Sequence, residues 1–152
     1  MGYIDDISTV LGKKKKAAAD NTAPRPKKSI KVLIVEDDLA LSEMYSYKFT
    51  HEGFTVFTAS DGKQGLEMAI AHKPHIILLD LMMPVMDGKV MLKKLREIPV
   101  FKKLPVIVVT NAGDIESMRE TQHYDNANEF LIKSNVSVDE VVKKVKEWTN
   151  LV

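Results

Sequence analysis

A chain of 152 residues with 45% apolar content is long enough for one domain with a substantial core. It has no Cys, which excludes disulfides, a thiolate nucleophile and Cys-based zinc sites. The net charge of +1 is unevenly placed: residues 1–29 carry an excess of Lys and Arg, so the remainder is net negative and is not expected to bind nucleic acid.

No segment approaches the roughly 20 apolar residues of a membrane span. No apolar stretch of a secretory signal follows the N-terminal basic residues. These features predict a cytoplasmic protein.

Residues 1–29 read as a flexible leader. Ile4, Ile7, Val10 and Leu11 make a short apolar stripe, which predicts a short helix over 3–11 that Gly12 stops. Lys13 to Lys28, with Pro24 and Pro26, has the composition of a solvated linker. The predicted domain spans 30–151.

From residue 30 strands and helices alternate. Ile30–Val35 is a buried strand, followed at once by Glu36, Asp37 and Asp38. Asp38 caps a helix that runs to about His51, with Leu41, Met44, Tyr45, Lys48 and Phe49 on one face; Gly53 closes it. Phe54–Ala59 is the second strand. Asp61-Gly62 turns into a helix with Leu66, Met68, Ala69 and Ile70 on its apolar side, ended by Pro74. Ile76–Leu79 is a third strand, apolar throughout, that stops on Asp80; Pro84 and Asp87-Gly88 mark the loop after it.

A helix over about 89–97 presents Val90, Met91, Leu92 and Leu95. Val106–Val109 is a fourth buried strand ending at Thr110. The segment 114–123 is polar and should be the least firmly packed helix. Glu129–Ile132 is a short fifth strand ending at Lys133. The last helix, over about 137–149, carries Val138, Val141, Val142, Val145 and Trp148 on one stripe. This alternation predicts an α/β fold: a five-stranded parallel sheet, doubly wound, with helices on both faces.

If the sheet is parallel, the strand ends gather at one edge. They bring Glu36, Asp37, Asp80, Thr110 and Lys133 together. Three carboxylates held close repel unless a cation neutralises them. Mg²⁺ takes oxygen ligands of this kind while leaving room for phosphate oxygens. A carboxylate can act as nucleophile and give an aspartyl phosphate. Lys133 would stabilise charge on the transferring group, and Thr110 would hydrogen-bond a phosphoryl oxygen.

At these residues the chain resembles a response-regulator receiver domain, the CheY-like phospho-accepting module of two-component signalling. The resemblance covers residues 29–151. It is carried by Val-Glu-Asp-Asp at 35–38, Leu-Asp-Leu-Met-Met-Pro-Val-Met-Asp-Gly at 79–88, Val-Val-Thr at 108–110, and Lys133. It implies a flavodoxin-like sheet of strand order 2-1-3-4-5. It implies that Asp80 accepts a phosphoryl group from a histidine kinase or a histidine phosphotransfer protein. Glu36, Asp37, Asp80 and the backbone carbonyl of Met82 match the Mg²⁺ ligands. Thr110 and Phe130 match a switch pair, and the fourth helix, fifth strand and fifth helix match the face that binds a downstream protein.

The chain departs from the family's pattern at several positions. Ser134 follows Lys133 where proline is usual, so the loop there is open to question. Asn126 stands at a turn position that is often glycine. Met82 and Ala112 are apolar beside the site and offer no group to place an attacking water, so self-dephosphorylation should be slow. The chain stops soon after the last helix, which predicts a stand-alone receiver and not an enzyme acting on a separate substrate. Two competing readings are a phosphorylation-independent scaffold and a phosphohydrolase of the haloacid-dehalogenase type. The latter wants a second acid two residues after the nucleophile, where this chain has Met82.

Overall fold

The computed structural model describes residues 28–119 and 126–150. The leader helix expected over 3–11, and part of the segment expected to be weakly packed, lie outside these residues. Five strands form one parallel sheet: β1 (Lys31–Val35), β2 (Thr55–Ala59), β3 (Ile76–Leu79), β4 (Val106–Thr110) and β5 (Glu129–Ile132). Their order is β2-β1-β3-β4-β5, as expected. Between and after them run α1 (Leu39–His51), α2 (Gly62–His72), α3 (Gly88–Glu97), α4 (Ala112–Arg119) and α5 (Val138–Trp148).

The sheet is buried on both faces because its inner strands are apolar except for Lys31 at the start of β1 and Thr110 at the end of β4. Alternate side chains point to opposite sides. Leu33, Val35, Ile77, Leu79, Val106 and Val108 pack with Ala69 of α2, Met91, Leu92 and Leu95 of α3, and Met118 of α4. Val32, Ile34, Ile76, Leu78, Ile107 and Val109 pack with Tyr45 and Phe49 of α1 and Val141, Val142 and Val145 of α5. Burying each large aliphatic side chain contributes about 1.5–3 kcal/mol.

Register places the functional edge. Val35 pairs with both Ala59 and Leu79, and Leu79 pairs with Val108. Thr110 pairs with Ile132. The residues that follow β1, β3 and β5 therefore emerge beside the end of β4. Three aspartates start helices from this region. Asp38, Asp61 and Asp87 accept the backbone N–H of Leu41, Gln64 and Val90 at 3.1, 2.8 and 2.9 Å. Ser137 and Glu140 close a capping box on α5.

Some helix faces differ from expectation. Met44, Ile70 and Val90 are exposed, because tertiary packing selects a narrower stripe than apolarity alone suggests. Small residues take part of that contact: Ser42 is buried in α1, and Gly62 and Gly65 in α2. Lys73, with φ of 49°, makes a left-handed cap for α2 one residue before Pro74. α4 begins at Ala112, two residues earlier than predicted, and buries Ile115 and Met118. The described residues contain no cis peptide bond, so Lys133 joins Ser134 by a trans bond, and Lys133–Asn135 forms a 3₁₀ turn.

Candidate functional site

The edge holds three buried polar side chains beside an apolar core. Glu36, Asp80 and Thr110 are 4%, 6% and 0% exposed. Buried carboxylates of this kind need partners, and the structure supplies them. Thr110 Oγ1 donates to Asp80 Oδ1 at 2.8 Å. Lys133 Nζ donates to Asp80 Oδ2 at 3.1 Å and lies 2.8 Å from Glu36 Oε1. The second Glu36 oxygen accepts the backbone N–H of Asp38 at 3.1 Å. Both Asp80 oxygens are thus engaged, one by a hydroxyl and one by an ammonium.

The charges in this cluster perturb one another. Burial pushes the Glu36 carboxyl up to about 7; bonds from Lys133 and Asp38 oppose the rise and the charge of Asp80 adds to it. Burial works against the Lys133 ammonium, but Glu36 and Asp80 outweigh it and hold its pKa above the ordinary lysine value. On the α1 side, burial and the nearby Glu36 charge raise the Tyr45 phenol.

One carboxylate oxygen from each of Glu36, Asp37 and Asp80 lies within 4.8 Å of the others. Asp37 is exposed while its two companions are buried, so the cluster opens to solvent on one side. Three hard oxygen donors at this spacing fit a divalent cation such as Mg²⁺. All five strand-end residues expected at the site are therefore together. Met82 follows in the turn after β3, with its side chain 59% exposed. Phe130 is half-buried on β5 and lines, with Ile115, Arg119 and Ala127, a groove of about 470 Å³ between α4 and β5.

Residues 32–146 match the model of the response regulator receiver domain. The chain belongs to the response regulator receiver family. Its relatives include the response regulator PleD of Caulobacter vibrioides, 39% identical over 69% of this chain and 23% of that protein. They also include sporulation initiation phosphotransferase F of Bacillus subtilis, 29% identical over 80% of this chain and 94% of that one. A solved structure of the response regulator TrrA from Thermotoga maritima, in complex with Mg²⁺-BeF, aligns with a TM-score of 0.66 at 25% identity. It covers 78% of this chain and 98% of that one. The receiver chain spans about half or less of several curated relatives, which are longer proteins.

Two features of this receiver were not read from the sequence. Asp114, in the first turn of α4, brings Oδ2 to 3.4 Å from Thr110 Oγ1. Its spacing four residues after Thr110 is the one hint the sequence offered. Arg96 of α3 donates to the carbonyls of Asn126, Phe101 and Leu104, each at 2.8 Å, and to Asn128 Oδ1 at 3.2 Å. It ties the loops before β4 and β5 together at the far end of the sheet, and nothing in its local sequence announces that.

Proposed function

We propose that this receiver accepts a phosphoryl group on Asp80, donated by a histidine kinase or a histidine phosphotransfer protein. The observation that carries this reading is the setting of Asp80: a buried carboxylate held by Thr110 and Lys133, next to two further carboxylates. In the transfer an Asp80 oxygen forms a bond to phosphorus while the bond from phosphorus to the donor nitrogen breaks. The electron pair leaves with the imidazole, which takes a proton from solvent. Lys133 and Thr110 are placed to receive the phosphoryl oxygens as they arrive. Glu36, Asp37, Asp80 and the Met82 carbonyl would hold Mg²⁺, which when bound supplies positive charge against those oxygens. The Mg²⁺-BeF complex of the TrrA relative supports this ligand chemistry.

Asp80, Lys133 and Thr110 promote only the chain's own phosphorylation and its slow reversal. Thr110 and Phe130 form the switch pair: movement of the hydroxyl toward the phosphoryl group leaves space that the aromatic ring turns to fill. The readout is the face of α4, β5 and α5, where the groove beside Phe130 lies. A two-state shift of that face would change its affinity for a downstream protein. The reading places the protein in the cytoplasm, where such donors act.

Intact mass after incubation with Mg²⁺ and acetyl phosphate tests the assignment. One added phosphoryl group is expected in the wild type, and none in Asp80→Asn or with EDTA. A folded wild type that never gains the adduct would sink the phosphoswitch reading and favour a phosphorylation-independent scaffold. Multiple turnover of a small phosphate ester would instead mark a phosphohydrolase.

A further inference from the structure

The site carries one carboxylate more than phosphoryl transfer calls for. Asp114 is half-buried, and its carboxylate shares the Thr110 hydroxyl with Asp80. The Thr110 oxygen lies 2.8 Å from Asp80 Oδ1 and 3.4 Å from Asp114 Oδ2. A threonine hydroxyl has one proton to give. The shorter contact takes most of it, which leaves Asp114 weakly bonded beside a second anion. Lys133 is engaged by Glu36 and Asp80, and among the described residues no Lys or Arg pairs with Asp114.

A phosphoryl group on Asp80 would bring almost two negative charges to the carboxylate that Thr110 now contacts. On the other flank Lys133 opposes that charge. On the Thr110 flank Asp114 adds to it. Like charges separated by a few ångströms in a partly buried setting repel strongly. Asp114 also competes for the hydroxyl that the phosphoryl oxygen needs.

We propose that Asp114 is an electrostatic brake on phosphorylation of Asp80, a positioning residue that acts through Thr110. This rests on the reading of Asp80 as phosphoacceptor. With acetyl phosphate as donor, an Asp80 oxygen bonds to phosphorus, the bond from phosphorus to the acetyl oxygen breaks, and acetate leaves with the electron pair. Asp114 takes no part in these bonds. It raises the barrier by opposing the incoming charge, and it keeps the resting receiver in its unphosphorylated state.

The test follows phosphoryl incorporation into the full chain by intact mass, at saturating Mg²⁺ and at low and high ionic strength. Wild type, Asp114→Asn, Asp114→Ala, Asp114→Glu and Asp80→Asn are compared. The neutral variants should incorporate about three- to tenfold faster than wild type at low salt. Asp114→Glu should behave as wild type, and the gap should narrow at high salt because ions screen the charge. Loss of a mere helix-start acid would lower stability without this pattern. Neutral variants that are no faster than wild type, or are slower, would overturn the brake while leaving Asp80 as phosphoacceptor. Absence of an Asp80-dependent adduct in every protein would overturn the receiver reading itself.

Discussion

Lys133 Nζ sits 2.8 Å from Glu36 Oε1 and bridges from there to Asp80. One ammonium from the end of β5 thus bridges two buried carboxylates from the ends of β1 and β3. Removing it leaves those carboxylates without their cation, and breaking a buried pair by deleting one partner is costly. Lys133→Met should lower metal-free stability by about 2–3 kcal/mol near neutral pH. Added Mg²⁺ should restore part of the loss, because a cation can take over the neutralisation. Urea unfolding with and without Mg²⁺ would show this. Equal destabilisation in both conditions would mean that the cation and the lysine do not share the same carboxylates.

His75 gives the fold a pH dependence away from the site. Its Nδ1 accepts the backbone N–H of Lys31 at 2.9 Å, which requires a neutral ring. Burial, with the charges of Lys31 and Lys28, lowers its pKa below the usual histidine value. A depressed folded pKa means that the contribution is present above the unfolded value of about 6.5 and is lost as pH falls through the folded one. Stability should therefore drop between about pH 7 and 5. His75→Asn keeps a ring-height acceptor without titrating, so its urea midpoint should change less over that range. An identical slope in both proteins would rule His75 out as the source.

Gly88 shows how tightly the phosphoacceptor loop is wound. A Cβ there would overlap the carbonyl oxygen of Asp80 and come within 2.8 Å of the Leu81 Cα. Both are backbone atoms, so no side chain can move aside. Gly88→Ala should cost about 1–3 kcal/mol by overpacking and should slow phosphorylation by displacing Asp80. Thermal unfolding and the acetyl phosphate assay check the two effects. Wild-type values in both would show that the loop yields.

Arg96 satisfies four carbonyl oxygens and has no acidic partner among the described residues. Burial lowers its pKa, yet the guanidinium stays charged because its ordinary value is so high. Arg96→Leu would leave those acceptors poorly paired and should destabilise by about 2–3 kcal/mol. Arg96→Lys should recover only part of this, since an ammonium cannot reproduce the planar fork. Denaturant midpoints of the three proteins measure the difference. Full recovery by Lys would mean that charge, and not geometry, is what the loops require.

The strands were legible because each is an apolar run of strand length that stops on a polar residue. β3 and β5 match their predicted bounds, and Asp38 and Asp61 begin helices as read. The site followed from them, since parallel strands must deliver their ends to one edge. Helix faces were less legible. Met44 and Ile70 are apolar yet exposed, while Gly65 is buried because Met91 and Val35 approach it.

The sequence by itself determined the alternation of strands and helices, the identity of the strand-end residues and the family to which they belong. Local patterning carries that information, because burial on both faces demands apolar runs and a chemical site demands particular side chains. Only the tertiary structure decided how those side chains share their bonds. Lys133 divides itself between Glu36 and Asp80, Thr110 stands between Asp80 and Asp114, and Arg96 reaches across to loops up to 32 residues away. Such partnerships depend on distances set by the packed sheet and helices, and spacing along the chain hints only at the contact of Thr110 with Asp114.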